Sequence, residues 1–319
     1  MTKCVVIGGN GFIGSHLVDE LVARGHEVTA FDRFSAARKV YTSEGVRQVI
    51  GNFENHADVR EALAGQDHVF HFLSTTTPAT SENDPTLDVR TNVAASVEML
   101  EIAVQEGISK VSFASTGGAM YGKQPAGMIT EDALPLPVSP YAIGKLSIEG
   151  YLRYFQAKHG LDSVSFRISN PYGPRQGPNK KQGVIPIFLQ SIAEGRPVTV
   201  YGDGSMVRDY MYVGDVARQV AQTVGRPTTH PVYNIGSGVG HSVSDIVEVM
   251  REITGKNIDI NHRPVPATFI DRVVLDVSRY DDEFGSGGLV TLREGVALTW
   301  SDTLQTSAAS SGNRSPLSD

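Results

Sequence analysis

Residues 4–14, CVVIGGNGFIG, decide the fold of this chain. The apolar run at residues 4–7 is typical of a buried strand, and residues 16–24 repeat leucine and valine with the period of a helix. Glycines between these two elements permit a tight turn, let a pyrophosphate approach the backbone and let the helix pack closely. These glycines are Gly8, Gly11 and Gly14. The stretch therefore predicts a strand, a dinucleotide-binding loop and a helix.

The residue that ends the second predicted strand indicates which dinucleotide binds. Residues 27–32 form this strand and end in Asp32, about 20 residues after the glycines. A carboxylate here can hold both ribose hydroxyls of an adenosine and would repel a 2′-phosphate. NAD is therefore favoured over NADP, although the adjacent Arg33 leaves NADP open. A glycine turn without a nucleotide is the alternative, but the order of strand, glycines, helix, strand and acid favours binding.

Alternating strands and helices predict the rest of the fold. The further strands are expected at residues 46–50, 67–73, 110–114, 163–168 and 232–235. This alternation predicts an α/β fold with a doubly wound parallel sheet of the Rossmann type.

Separate segments in the second half of the chain are expected to come together in a small interleaved C-terminal lobe. We expect residues 1–170 to bind the dinucleotide and residues 205–240 to return to the sheet. Residues 171–204 and 241–305 are then expected to form a substrate-binding lobe. The tail at 306–319 is rich in serine with little to bury, which predicts disorder.

Polar residues after the fourth strand and in the following helix are candidate ligands. Ser74, Thr75 and Thr76 leave the carboxyl end of that strand, where ligands bind in such sheets. Their hydroxyls can contact a cofactor or a sugar, or can instead cap a helix. Asn92 lies inside a long helix predicted at residues 84–106, and either bonds to a neighbouring loop near the cofactor or faces water.

A tyrosine and a lysine predict acid–base chemistry. Tyr141 and Lys145 lie one turn apart on one face of a helix. An ammonium beside a phenol favours the phenolate, so the lysine is expected to lower the pKa of Tyr141 and make it a general base. The chain has a second such pair, Tyr154 and Lys158. Tyr141 is favoured because it opens its helix near the predicted crevice.

Composition and charge exclude several classes of function. A hydrophobic content of 40% and a charged content of 20% are typical of an ordinary globular protein. The net charge of −7 argues against binding to nucleic acid or to an anionic membrane surface. The only cysteine, Cys4, predicts neither a disulfide nor a metal site. The absence of a signal-like segment and of a membrane-length apolar run favours a cytoplasmic enzyme.

The motifs across residues 3–300 resemble those of the extended short-chain dehydrogenase/reductases. Within that family the chain is similar to the NAD-dependent nucleotide-sugar epimerases and dehydratases, and in particular to the UDP-glucose 4-epimerase-like branch. The matching stretches are the glycine loop, Asp32, STGGAMYG at 115–122, SPYAIGK at 139–145, RISNPYGPR at 167–175, and YGDG at 201–204 with RDY at 208–210.

The resemblance implies transient oxidation of a nucleotide sugar at C4. Tyr141 would take the proton of the 4-hydroxyl, Lys145 would bind the nicotinamide ribose, and Thr116 or Ser115 would bond to O4. Family dehydratases carry an Asp-Glu pair after the active hydroxyl, whereas this chain has glycines and an alanine at 117–119. Elimination then lacks its acid–base pair, which favours epimerisation. A cofactor-exchanging oxidoreductase, another nucleotide-sugar enzyme of the family and a non-catalytic dinucleotide sensor are the alternatives.

The resemblance also implies the binding residues and a homodimer. A small Val273 at a gate position would admit N-acetylated UDP-sugars. Helices at 88–106 and 141–158 would form the dimer interface. The expected cofactor contacts are Gly8, Gly11, Phe12, Ile13, Gly14, Asp32, Arg33, Asn52, Phe53, Leu73, Ser74, Thr75, Asn92, Tyr141 and Lys145. The expected substrate contacts are Thr76, Thr116, Asn170, Val184, Tyr201, Arg208, Arg263 and Val273.

Overall fold

The computed structural model describes residues 1–34, 39–177, 183–265, 270–285 and 287–312. Its strands are β1 Lys3–Ile7, β2 Glu27–Asp32, β3 Arg47–Ile50, β4 His68–His71, β5 Lys110–Thr116, β6 Asp162–Ile168, β7 Asn170–Tyr172, β8 Val198–Tyr201, β9 Val207–Tyr212, β10 Val232–Ile235, β11 Gly240–Ser242, β12 Ile260–Arg263 and β13 Arg272–Val273. Its helices are α1 Phe12–Ala23, α2 His56–Leu63, α3 Pro78–Ser81, α4 Pro85–Asp88, α5 Ala95–Gln105, α6 Gly117–Met120, α7 Pro140–His159, α8 Val184–Ala193, α9 Val213–Gln222, α10 Val243–Thr254, α11 Ser278–Phe284 and α12 Leu292–Gly312, with a π-helical segment at Val89–Ala94.

A seven-stranded sheet organises the first part of the chain, in the order β10-β6-β5-β4-β1-β2-β3. All of its neighbouring strands run parallel, which confirms the predicted doubly wound α/β fold. The chain leaves β1 towards β2 and β3, then crosses back to β4 on the other side. Ligand crevices form where the strand order reverses in this way. The carboxyl ends of β1 and β4 therefore mark the expected cofactor site.

Alternate side chains of β1 pack against two different layers of helices. Cys4 and Val6 belong to the core beneath α1 and α9, whereas Val5 and Ile7 belong to the core beneath α2, α5 and α7. Successive side chains of a strand point to opposite faces, so one apolar run serves both layers. Both faces of the sheet are consequently covered, as is typical of parallel sheets.

Short strands from the second half of the chain form the small lobe. A second sheet has the order β11-β9-β13, with β7 also paired to β9, and β8 pairs with β12. Apolar side chains of α8, α10 and α12 pack with these strands in a separate core. Because β9 lies in the second sheet, the return of residues 205–240 to the main sheet begins only with α9 and β10.

Two helices differ from their predicted form. The single helix expected at residues 84–106 is divided by the π-helical segment, where the hydroxyl of Thr91 donates a hydrogen bond to the carbonyl of Leu87, 2.9 Å away. Such insertions are common at functional sites. The helix α12 extends to Gly312, so residues 306–312 are helical rather than disordered, because extending a packed helix costs less than starting one. Residues 313–319 lie outside the described residues.

None of the helices in the described part of the chain combines the length and hydropathy that a bilayer span requires.

Candidate active site

The glycine loop forms a tight cradle at the start of α1. Gly8 has a φ of +85°, which favours glycine. A Cβ at Gly14 would lie 2.1 Å from the carbonyl oxygen of Gly8, so only glycine fits there. A Cβ at Gly8 would in turn lie 2.8 Å from the backbone nitrogen of Leu73. The loop therefore presents bare backbone and the amino end of a helix, as a pyrophosphate requires. Phe12 and Ile13 begin that helix and are half-buried.

The carboxylate of Asp32 is oriented next to this loop. It accepts hydrogen bonds from the backbone N–H of Asn10, at 3.1 Å, and of Arg33, at 2.7 Å. The side chain of Asn10 in turn accepts from the N–H of Val40 at 2.8 Å, which fixes the loop against the chain that follows β2. A half-buried carboxylate held at the end of β2 fits the ribose diol of NAD, while Arg33 is exposed.

The two expected cofactor contacts that follow β3, Asn52 and Phe53, have different surroundings. Asn52 is exposed, and its side-chain oxygen accepts a hydrogen bond from the N–H of Glu54. Phe53 is buried, with its ring 5.0 Å from that of His71. The side chain of Phe53 is thus part of the core, and only its backbone can line the cofactor crevice.

Asn92 faces a loop rather than water. It is buried, and its side-chain oxygen accepts a hydrogen bond from the N–H of Thr75 at 2.9 Å. Its side-chain nitrogen donates to the hydroxyl of Thr76 at 3.0 Å and to Asp88 at 2.9 Å. The hydroxyl of Thr76 also donates to Asp88. Thr76 therefore belongs to a buried network, while the exposed Ser74 donates a hydrogen bond to the carbonyl of Thr76.

The start of α7 is fixed by two serines. The hydroxyl of Ser139 accepts from the N–H of Ala142 at 3.3 Å and caps the helix. The N–H of Tyr141 donates to the hydroxyl of Ser81, 3.2 Å away in α3. These bonds set the position of Tyr141 independently of any ligand.

The expected effect of Lys145 on Tyr141 is not present in the structure. Burial raises the pKa of Tyr141 to about 12, and the charge of Asp88 adds to this rise. The ammonium of Lys145 donates to the carbonyl of Ala114 at 2.8 Å and lies 5.7 Å from the centre of the Tyr141 ring. The predicted lowering of the tyrosine pKa is therefore wrong for this state, because burial disfavours the phenolate more than the lysine favours it.

Burial acts on Lys145 as well. It lowers the pKa of this ammonium to about 8, while Asp88 and Glu149 oppose the change. The ammonium also lies 4.7 Å from the centre of the Phe113 ring. The ammonium of Lys145 is therefore packed against an apolar ring, and the buried acids Asp88 and Glu149 favour its charged form.

Ser115 and Thr116 have different surroundings at the end of β5. The hydroxyl of Ser115 donates to Glu149 at 2.6 Å, and Glu149 is paired with Arg167 at 2.8 Å. The hydroxyl of Thr116 makes no side-chain hydrogen bond within the described residues. The hydroxyl of Ser115 is therefore bonded to a buried side chain, whereas the hydroxyl of Thr116 remains available to a ligand.

A cavity of about 250 Å³ opens between β9 and the start of α8. It is lined by Asn170, Pro171, Tyr172, Gly183, Val184, Ile185, Pro186, Met206, Arg208, Tyr210 and Val243. Arg208 makes no ion pair with any residue that the structure describes, and donates only to the carbonyl of Val207 at 2.8 Å. Its guanidinium therefore remains available to an anion in this cavity.

Five expected substrate contacts do not line this cavity: Thr76 and Thr116, described above, and Tyr201, Arg263 and Val273. Tyr201 and Arg263 face each other in the register of β8 and β12 and are both exposed. Val273 is buried with Met120 and Leu275, in the small core beneath α6. The structure thus brings together Asn170, Val184 and Arg208, and places Val273 beside α6.

Comparison with known proteins identifies the family. The sequence model described as "NAD dependent epimerase/dehydratase family" matches residues 4–236, which is more than half of the chain. The chain belongs to this family. Its cofactor is accordingly NAD, as the glycine loop and Asp32 indicated.

Several members of the epimerase/dehydratase family are similar over nearly their whole length. A UDP-glucose 4-epimerase of Mycolicibacterium smegmatis is 33% identical over 304 residues, covering 93% of this chain and 97% of the relative. A dTDP-glucose 4,6-dehydratase of Streptomyces griseus is 32% identical over 308 residues, covering 93% of each. The structure of the Thermotoga maritima UDP-glucose 4-epimerase with UDP-glucose has a TM-score of 0.90 at 34% identity, and covers 95% of this chain and 99% of that one. Similarity alone therefore does not separate epimerase from dehydratase.

Two buried acids that act on Lys145, Asp88 and Glu149, were not predicted from the sequence. Glu149 follows Tyr141 and Lys145 at the same four-residue spacing, so helical periodicity could have placed it on their face. Asp88 had no such signal, because only the packing of α4 against α7 brings it there.

Proposed function

We propose that this enzyme is an NAD-dependent 4-epimerase of UDP-sugars, acting on the UDP-glucose/UDP-galactose pair. The observation that carries the proposal is α6, whose sequence GGAM contains no acid or base. A Cβ at Gly117 would lie 2.5 Å from Leu275 and 2.8 Å from the carbonyl oxygen of Arg167. An acid at this position is therefore excluded by packing, and elimination of water would lack its local acid–base pair.

The proposed mechanism uses one base, one hydroxyl and one cation. Tyr141 removes the proton of the sugar 4-hydroxyl and returns it after the sugar turns over. Thr116 bonds to the same oxygen and relays the proton, while Lys145 bonds to the nicotinamide ribose and stabilises the phenolate. When bound, NAD supplies the hydride acceptor and donor for C4.

The substrate diphosphate is proposed to bind Arg208. A guanidinium can chelate phosphate oxygens with two parallel hydrogen bonds, and this one lines the cavity without an ion-pair partner among the described residues. The nucleoside would then lie against Val184 and the neighbouring apolar side chains of α8.

A homodimer is also proposed. Ile143, Tyr151 and Tyr154 of α7 are between 41% and 50% exposed, although such side chains are usually covered. The resemblance implies that this helix and the helix at 88–106 pair with their copies in a second subunit.

The assignment of the active hydroxyl predicts opposite results for two neighbouring variants. Thr116→Val removes the free hydroxyl but keeps the shape of the side chain, and should lower kcat roughly 100-fold. Ser115→Ala should leave kcat near that of the parent, but should reduce the free energy of unfolding by about 1–3 kcal/mol, because Glu149 loses a donor. Steady-state kinetics and denaturant unfolding test both results, and a larger loss of kcat in Ser115→Ala would contradict the assignment.

The proposed substrate range rests on what the resemblance implies for a small residue at position 273, because Val273 is buried beside Met120 and does not line the cavity at Arg208. We expect turnover of UDP-GlcNAc and UDP-GalNAc as well as of UDP-glucose and UDP-galactose, with kcat/KM values of similar size for the two pairs. NMR identification of the products formed from each sugar nucleotide, with kcat/KM for each, is the measurement. Activity on the non-acetylated pair alone would refute the gate argument. A 4-keto-6-deoxy sugar as the product would identify a dehydratase and refute the proposed function.

A further inference from the structure

Asp88 is a buried acid that the proposed mechanism does not use. It is 2% exposed at the end of α4. The hydrogen bonds that it accepts come from the neutral side chains of Thr76 and Asn92. It makes no ion pair with any residue in the described ranges. A buried carboxylate without a nearby cation is unfavourable, so its charge needs a counterpart.

The packing of α7 places that carboxylate against the helix backbone at Gly144, the residue before Lys145. A Cβ at Gly144 would lie 2.2 Å from Oδ2 of Asp88. Gly144 lies between Tyr141 and Lys145, so its missing side chain gives the acid direct access to the backbone of this turn. The same helix contains Gly150, where an added Cβ would meet only the end of Arg153, at 3.9 Å. The glycine at 144 is therefore required by Asp88 and not by the helix.

Lys145 is a buried positive charge that likewise makes no ion pair with any described residue. Its ammonium is buried and bonds to the neutral carbonyl of Ala114. Glu149 lies one turn further along α7, but it is already paired with the guanidinium of Arg167. His71 faces the lysine from β4, and burial lowers the pKa of that imidazole to about 3, so it carries no charge. Asp88 is thus the one unpaired negative charge among the described groups that act on Lys145.

We propose that Asp88 is the buried counter-ion of Lys145 and a positioning residue for the catalytic turn. Through Thr76 and Asn92 it ties α7 to the loop that follows β4, so one carboxylate aligns the lysine, the tyrosine and the cofactor side of the crevice. This inference rests on the proposed roles of Tyr141 and Lys145.

If Asp88 is the counter-ion of Lys145, its removal should change the pH dependence of kcat/KM, which the loss of a purely structural residue would not do. The titratable groups around Lys145 are Asp88 from α4, Tyr141 and Glu149 from α7 and the neutral His71 from β4. Without the charge of Asp88 the pKa of Lys145 falls further below its ordinary value. The alkaline limb of kcat/KM, which requires the ammonium, should therefore move to lower pH.

The decisive experiment is an NMR titration of the purified chain, saturated with NAD and labelled with isotope in its lysine side chains. The signal of Lys145 is assigned by its loss in Lys145→Met. In Asp88→Asn, which keeps the size of the side chain, we expect the pKa of Lys145 to fall by at least about one unit, a tenfold change in its dissociation constant. The control is Asp84→Asn, which removes an exposed acid four residues away and leaves a good N-cap. It should leave this pKa unchanged.

A second pair of variants tests the geometry without altering any charge. Gly144→Ala should displace the carboxylate, lower the pKa of Lys145 and reduce kcat/KM at least tenfold. Gly150→Ala on the same helix should change neither quantity. An unaltered lysine pKa in Asp88→Asn, or equal shifts in Asp88→Asn and Asp84→Asn, would overturn the inference. If Asp88→Asn does not fold, the Gly144→Ala titration decides in the same way.

The titration does not depend on turnover. A parent enzyme that converts no nucleotide sugar would refute the proposed function, whereas the counter-ion role would still be decided by the lysine signal.

Discussion

Replacing Tyr141 with phenylalanine should lower kcat for C4 epimerisation by roughly 10²–10⁴-fold and leave NAD bound. The variant removes one oxygen and keeps the ring, and the N–H of residue 141 still donates to Ser81. The start of α7 is therefore preserved, and the loss reports the proton transfer alone. The measurements are kcat with UDP-glucose or UDP-galactose and the NAD content of the purified protein. Undiminished turnover would remove the tyrosine from the mechanism.

The chain contains its own control for this prediction. Tyr154 and Lys158 have the same spacing, and the ammonium of Lys158 donates to the hydroxyl of Tyr154 at 2.8 Å. Tyr154 is 48% exposed on the outer side of α7. Tyr154→Phe should therefore leave kcat and NAD content unchanged. A fall of kcat similar to that of Tyr141→Phe would show that either phenol supports the reaction only through the fold.

These two pairs show why spacing alone is a weak guide to function. The exposed pair makes the close contact that the sequence suggested for the proposed catalytic pair, whereas Tyr141 and Lys145 do not bond to each other. Burial separates the two cases, because Lys145 is held against Ala114 and Phe113, and the acids that favour its charged form are Asp88 of α4 and Glu149 of α7. Periodicity reports which residues share a helix face, but not which face is buried.

The main sheet was predictable for a physical reason that the lobe lacks. In the parallel sheet, β1 is a short apolar run that is followed at once by the helical pattern of α1, and β5 is likewise followed by a helix, so local sequence determines these elements. In the lobe, β7, β9, β11 and β13 are two to six residues long and pair with distant segments. Their pairing depends on contacts such as those of the buried Asp209, which accepts hydrogen bonds from the N–H of Ser237 at 2.8 Å and of Leu275 at 3.3 Å.

The site was predictable only where a short motif fixes the position of a residue. The glycines form the turn after β1, and Asp32 ends β2 beside that turn, so their order in the sequence was enough to predict them. The choice between Ser115 and Thr116 depended on Glu149 and Arg167, which come from α7 and β6. The stretch at 167–175 was recognised as a motif, but nothing in it indicated that its first residue pairs with Glu149.

That pair carries the largest effect on stability that we expect. Arg167 is 4% exposed and Glu149 is 2% exposed, and the guanidinium donates to both carboxylate oxygens, at 3.1 and 2.8 Å. Arg167→Met would leave a buried carboxylate with only Ser115 as a donor. Removing one partner of such a pair typically costs about 3–5 kcal/mol, so the free energy of unfolding should fall by that amount. Denaturant unfolding with and without NAD is the measurement.

Two further variants separate the charge from the packing. Arg24→Met breaks a partly exposed pair with Glu20 and should cost at most about 1 kcal/mol. Combining Arg167→Met with Glu149→Leu removes the unpaired charge, and should recover much of the stability, because a buried ion pair is often no better than an apolar pair of similar volume. A double variant as unstable as Arg167→Met alone would show that the loss comes from the contact of Arg167 with Tyr121, 3.0 Å away, and not from the charge of Glu149. A double variant that recovers stability and keeps the kcat of the parent would show that the ion pair of Glu149 and Arg167 supports the fold and takes no part in the chemistry.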